Sequence, residues 1–162
     1  MKRLMMMCSL LWLGASLPTP AWCQGQGNDE ATKLARKLTE EGAATFNTAN
    51  AKAMTAYYTD DAKVFLQSKN QDGISVKEYD GRQEIERLYA DLFKDRETIQ
   101  SKNTVEYAKL LAPDLLVIAG TFEPNLNEPN ALRIPFYQVR LKQGDKWLIH
   151  SLRIFVVSQD KT

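Results

Sequence analysis

The sequence predicts an α+β domain with helices on one face of a curved antiparallel sheet. Three observations carry this reading. Apolar residues recur at helical spacing in the first half, around Leu34, Leu38 and Phe46, and again at Ile85, Leu88, Tyr89, Leu92 and Phe93. Four strand-length segments fill the chain from Thr104 onward, separated by the tight-turn residues Pro113-Asp114 and Gln143-Gly144-Asp145 and by a longer Pro/Asn-rich link, Glu123 to Asn130. Helices therefore come first and a meander of strands follows, with no internal repeat and no low-complexity segment.

Residues 1–23 read as a signal peptide that precedes the domain. Lys2 and Arg3 form a positive start, Leu4 to Leu17 an apolar run, and Pro18 to Gly25 a small-residue exit. The run is shorter than the ~20 apolar residues that cross a bilayer. Cleavage fits after Cys23, with Ala21 three residues back, or after Gly25, with Cys23 three residues back. A lipid anchor on Cys23 would need a small residue before it, and Trp22 is not small. The expected location is the periplasm or the outside of the cell.

Residues 24–30 form a polar lead, 31–157 the domain and 158–162 a tail. The first helix starts at Ala31, and Gly42 within it suggests close packing, since glycine costs a helix about 1 kcal/mol relative to alanine. Asn50 is placed to cap a short second helix, Ala51 to Tyr58. Asp60 and Asp61 then fall in a turn before a strand at Val64 to Gln67. Ser68 to Lys77 is polar and interrupted by Asp72-Gly73, a loop or a loose hairpin. Asp80 followed by Gln83 reads as a capping pair for the third helix. The strands that follow are Thr104 to Leu111, Leu115 to Glu123, Ala131 to Leu141 and Lys146 to Val157.

Composition excludes several functions. Both cysteines, Cys8 and Cys23, fall in or beside the leader, so a disulfide within the domain is not expected. Removing Lys2 and Arg3 from the 21 basic residues leaves 19 against 20 acidic ones, a net charge of −1 with no basic run. Nucleic acid is therefore not an expected partner, and nothing after residue 25 reads as membrane-bound. One histidine and no cysteine in the domain leave no metal site in view. No Gly-rich phosphate loop and no Gly-x-Ser-x-Gly turn occurs, and no cofactor is implied.

The order of three local patterns resembles the nuclear transport factor 2-like superfamily, over about residues 31 to 157. Phe46-Asn47-Thr48-Ala49-Asn50 leading to Tyr58-Thr59-Asp60-Asp61-Ala62 is similar to its helix-to-strand passage. Tyr79-Asp80-Gly81-Arg82-Gln83-Glu84-Ile85 with Leu88-Tyr89 is similar to its third helix, and Gly144-Asp145-Lys146-Trp147-Leu148-Ile149-His150-Ser151 to its last hairpin. The resemblance implies a cystatin-like cone or α+β barrel, in which a curved antiparallel sheet wraps around N-terminal helices and encloses a pocket. It also implies pairing into homodimers through the sheet. The superfamily includes ketosteroid isomerases, SnoaL-type cyclases and many exported bacterial proteins of unknown function, so fold alone does not fix function.

A ketosteroid isomerase needs a carboxylate base, and a tyrosine and a protonated acid for the oxyanion. Matched through the Tyr-x-Asp-Asp-Ala passage, the base position falls on Leu66 and the oxyanion tyrosine on Gly42, neither of which can serve. Counted back from the last hairpin, the acid position falls on Tyr137, and a supporting tyrosine matches Tyr89 in the third helix. The same match places His150, Leu152 and Ile154 on the pocket face of the last strand. The expected pocket residues are then Tyr58, Leu66, Tyr89, Tyr137, His150 and Leu152. His150 with Tyr137 forms the candidate catalytic pair of an isomerase, cyclase or dehydratase; His150 as a hydrogen-bonded core histidine is the other reading. Glu123, Arg133 and Arg140 are further candidates for an anionic ligand, although arginines at such positions mostly face solvent. The pocket is expected to take a small apolar or amphipathic molecule. A homodimeric association module is the further alternative, because Ile134, Phe136 and Gln138 alternate with Tyr137 and Val139 and both faces of that strand need cover, which a dimer through the sheet would provide.

Overall fold

The computed structural model describes residues 29–70, 73–94, 100–124, 126 and 132–157. The expected signal peptide, most of the lead, much of the Glu123–Asn130 link and the tail lie outside the described residues. Among the described residues three helices, α1 (Asp29–Phe46), α2 (Ala51–Thr55) and α3 (Gly81–Phe93), accompany six strands: β1 (Tyr58–Asn70), β2 (Gly73–Asp80), β3 (Lys102–Ala112), β4 (Leu115–Glu123), β5 (Ile134–Gln143) and β6 (Lys146–Val157).

The α+β class stands, but the sheet differs from the expected cone. The strand order is β2-β1-β6-β5-β4-β3. Neighbours from β3 to β6 run antiparallel as a meander, yet β1 pairs with β6 in parallel, so the sheet is mixed. Among the described residues strands β2 and β3 form the two edges, and the sheet neither closes into a barrel nor curves strongly. The β1–β6 pair joins the two ends of the domain, and only non-local packing can bring it about.

Local choices follow the sequence with instructive departures. Asn50 caps α2 as expected, its side-chain oxygen accepting from the Ala53 N–H at 2.9 Å. That helix stops at Thr55, so Tyr58 opens β1 instead of closing a helix, and Asp60 and Asp61 lie within the strand. The polar stretch 68–77 is a hairpin, with Ser68 opposite Ser75 and Gly73 at φ +128. At the start of α3, Asp80 makes no side-chain cap bond; its N–H instead donates to the Glu84 carboxylate at 2.9 Å.

Helix α1 packs along β3, and α3 packs against β1 and α2. The core gathers Phe46, Tyr89 and Phe93 from the helices with Ile118, Phe136 and Leu152 from the inner sheet face. Phe46 meets the Phe93 and Phe122 rings edge-on, each with centroids 5.0 Å apart, geometry that suits the aromatic quadrupole. Among the described residues no helix is long and apolar enough to cross a membrane.

Candidate functional site

A cavity of about 390 Å³ lies between the helices and the inner sheet face. It falls within the ~300–1,000 Å³ range of small-molecule sites. Alternation along each strand builds its floor: Phe136, Gln138 and Arg140 of β5 share one face, and Leu152, Ile154 and Val156 of β6 another stretch of it. Leu88, Tyr89 and Leu92 of α3 supply one wall and Gly42 and Phe46 of α1 the other.

Of the expected pocket residues, Tyr58, Leu66, Tyr89 and Leu152 line this cavity. Gly42 lines it as well, so the positions matching a catalytic base and an oxyanion tyrosine both face the cavity and both are chemically inert. Gly42 does not mark close packing, because a Cβ added there meets nothing within 4 Å.

His150 and Tyr137 do not line the cavity, and the structure does not bring them together as a pair within it. Tyr137 is 42% exposed and stands opposite Arg153. The displacement of His150 has a clear cause. Between β5 and β6 the register passes from Val139↔Ser151 to Arg140↔Ile149, so His150 is the extra residue of a bulge. Strict alternation fails at that point, and Ile149 takes the cavity position in place of His150. Strand β1 is irregular at the same level, between Tyr58↔Ile149 and Lys63↔Ser151.

These irregularities assemble the acidic groups of β1. His150 Nδ1 lies 3.3 Å from the Thr59 hydroxyl and 3.5 Å from an Asp61 oxygen. The Thr59 hydroxyl, ahead of a backbone N–H and of His150, holds the Asp61 carboxyl below its ordinary value. Arg82 donates to the Tyr58 carbonyl from Nε at 2.8 Å and Nη2 at 2.6 Å, while its Nη1 pairs with Asp60 at 2.8 Å. Asp60 and Asp61 thus brace the irregular strand and stay largely exposed.

The polar groups inside the cavity are others. The Tyr58 and Tyr89 hydroxyls hydrogen-bond at 2.7 Å, and burial pushes both phenols above their ordinary value, Tyr58 furthest. In the same cavity lies Arg140, only 1% exposed despite its expected place on a solvated face. Its Nε donates to Gln138 Oε1 at 3.0 Å and its Nη1 to the Trp147 carbonyl at 3.4 Å. Burial lowers the guanidinium to about 10, which still leaves it charged at neutral pH. The shared face of Phe136, Gln138 and Arg140 is the signal that marks Arg140 as inward. Of the other anion candidates, Arg133 is exposed and Glu123 half-buried, and neither lines the cavity. Among the described residues no cluster of His, Cys, Asp and Glu is set to hold a metal.

No family model matches the chain, and no curated protein matches it. Solved structures do. A domain of unknown function with a cystatin-like fold from Nostoc punctiforme PCC 73102 superposes with a TM-score of 0.63 at 13% identity, covering 82% of this chain and 80% of that one. An NTF-2 like protein of unknown function from Shewanella oneidensis MR-1 gives 0.62 at 19% identity, over 77% of this chain and 98% of the other. A ketosteroid isomerase-like protein from Erwinia carotovora atroseptica SCRI1043 gives 0.51 at 16% identity, over 76% and 97%. At such identities the likeness shows the fold, which is that of nuclear transport factor 2-like, SnoaL-like and ketosteroid isomerase-like proteins.

Proposed function

We propose that this chain is an exported small-molecule-binding domain of the SnoaL-like type, which takes an apolar or amphipathic molecule into its cavity and does not perform ketosteroid isomerisation. The carrying observation is a cavity of about 390 Å³ walled mainly by apolar side chains, with Leu66 and Gly42 at the positions where that chemistry needs a base and an oxyanion donor. The apolar run Leu4 to Leu17 behind Lys2 and Arg3 supports export to the periplasm or beyond. An isomerase, cyclase or dehydratase built on His150 and Tyr137 lacks support, since neither side chain lines the cavity. Titration with Nile red, an uncharged dye that brightens in apolar surroundings, tests the binding reading. Saturable uptake at one site per chain is expected, and no uptake by the folded protein would overturn it.

A homodimer through the outer sheet face is part of the same proposal. Phe65, Arg153, Tyr137, Ala119 and Tyr107 stand opposite one another in sequence across five strands. Directly opposed residues share a face, and Tyr107 and Tyr137 are 46% and 42% exposed. Such a row suits association better than solvent. Light scattering at micromolar concentration should give twice the chain mass, and Tyr137→Lys should halve it; a monomeric wild type would remove this part.

A further inference from the structure

We propose that the cavity selects an amphipathic monocarboxylate, its headgroup held by Arg140 beside the Tyr58–Tyr89 phenol pair and its apolar body lying between the helices and the sheet. This rests on the small-molecule-binding reading above and names the ligand class. A buried arginine is normally paired with an acid. Arg140 donates only to the neutral oxygens of Gln138 and Trp147; the Glu41 carboxylate acts on it through its charge alone, and among the described residues no salt bridge includes it. A guanidinium carries five N–H donors in a planar fork, and those two bonds leave most of the fork without an acceptor among the described residues.

The phenols add a second unfilled donor. Whichever hydroxyl of Tyr58 and Tyr89 donates across their 2.7 Å contact, the proton of the other has no partner among the described residues. Tyr58, Tyr89 and Arg140 line the same cavity, and the charge of Arg140 acts on both phenols. A planar cation with an adjacent O–H donor matches a carboxylate, which accepts from the fork with two oxygens and keeps lone pairs for a third donor. A single negative charge fits best. Arg140 is the only charged side chain among the described residues lining the cavity, so a dianion would bury a second charge without a partner. At roughly 30 Å³ for each water-sized atom group, the volume of about 390 Å³ holds a ligand the size of decanoate.

Displacement of bound Nile red by decanoate and by 1-decanol, on the full chain near neutral pH and below micelle formation, tests this. Decanoate should displace the dye at about tenfold lower concentration or less, the scale of a charge-assisted hydrogen bond. Arg140→Met should erase that preference, read as the ratio of acid to alcohol displacement at the variant's own dye affinity, and Arg140→Lys should keep part of it. Equal displacement by acid and alcohol in the wild type would overturn the headgroup assignment and leave the binding reading intact. An acid preference that survives Arg140→Met would overturn Arg140 as its source. No dye uptake by the wild type would overturn both readings. The wild-type comparison stands even if a variant fails to fold.

Discussion

Gly42 shows how a single residue sets volume against stability. It lies inside α1, where glycine costs about 1 kcal/mol relative to alanine, and an added Cβ would meet no atom within 4 Å. Gly42→Ala should therefore raise stability by about 1 kcal/mol in urea titration, because the helix gains and nothing clashes. Gly42→Leu should keep the fold but project its side chain into the cavity, cutting Nile red uptake severalfold without lowering the melting temperature. A large loss of stability in either variant would show that the space is not open. The inert pair Leu66 and Gly42 was legible from sequence because local motifs fix their offsets from the β1 passage. Arg140 was not, since a charge flanked by Val139 and Leu141 reads equally well as a solvated face. Its spacing of two from Gln138 and four from Phe136 held the contrary signal, overridden by the general exposure of arginine.

At the scale of elements, strand irregularities decide which side chains reach the cavity. Helix boundaries and the β3 to β6 meander could be read from periodicity and turn chemistry, which act within a few residues. A bulge leaves no such mark: His150 sits in a regular-looking run from Trp147 to Ile154, and its displacement follows from pairing with Val139, Arg140 and the irregular start of β1. Gly120 marks another irregular place. It faces Val105 beside the register shift of β3, and a Cβ there would collide with the Thr104 carbonyl oxygen and lie 3.1 Å from the Phe136 ring. A backbone atom cannot yield as a flexible side chain can. Gly120→Ala is therefore expected to destabilise the protein by about 1–3 kcal/mol, the usual cost of overpacking, measured as a lower urea midpoint with an unchanged slope. A neutral effect would mean that β3 can shift away freely.

For the molecule as a whole, the sheet was only half legible because its one parallel pair among the described strands, β1 with β6, is non-local; the same assembly buries Arg140 and the two phenols together. Their burial makes stability depend on alkaline pH in opposing ways. Burial raises Tyr58 and Tyr89 above their ordinary 10.0. Unfolded phenols then lose protons that the fold retains, so their contribution is fully present below pH 10 and is lost as pH climbs through the folded values. Burial lowers Arg140 to about 10. There the unfolded guanidinium keeps a proton that the fold has released, so this group makes stability rise with pH above about 10. At neutral pH both states hold that proton, and the buried charge is a constant cost. Urea midpoints should therefore change little from these groups between about pH 7 and 9 and decline above about 10. Tyr58→Phe should make that decline shallower. In Arg140→Met, which should match or exceed wild-type stability near neutrality, the decline should be steeper because the opposing contribution is gone. Parallel declines in wild type and Arg140→Met would mean that the guanidinium holds its proton equally well in both states, and that water or another partner reaches it inside the cavity.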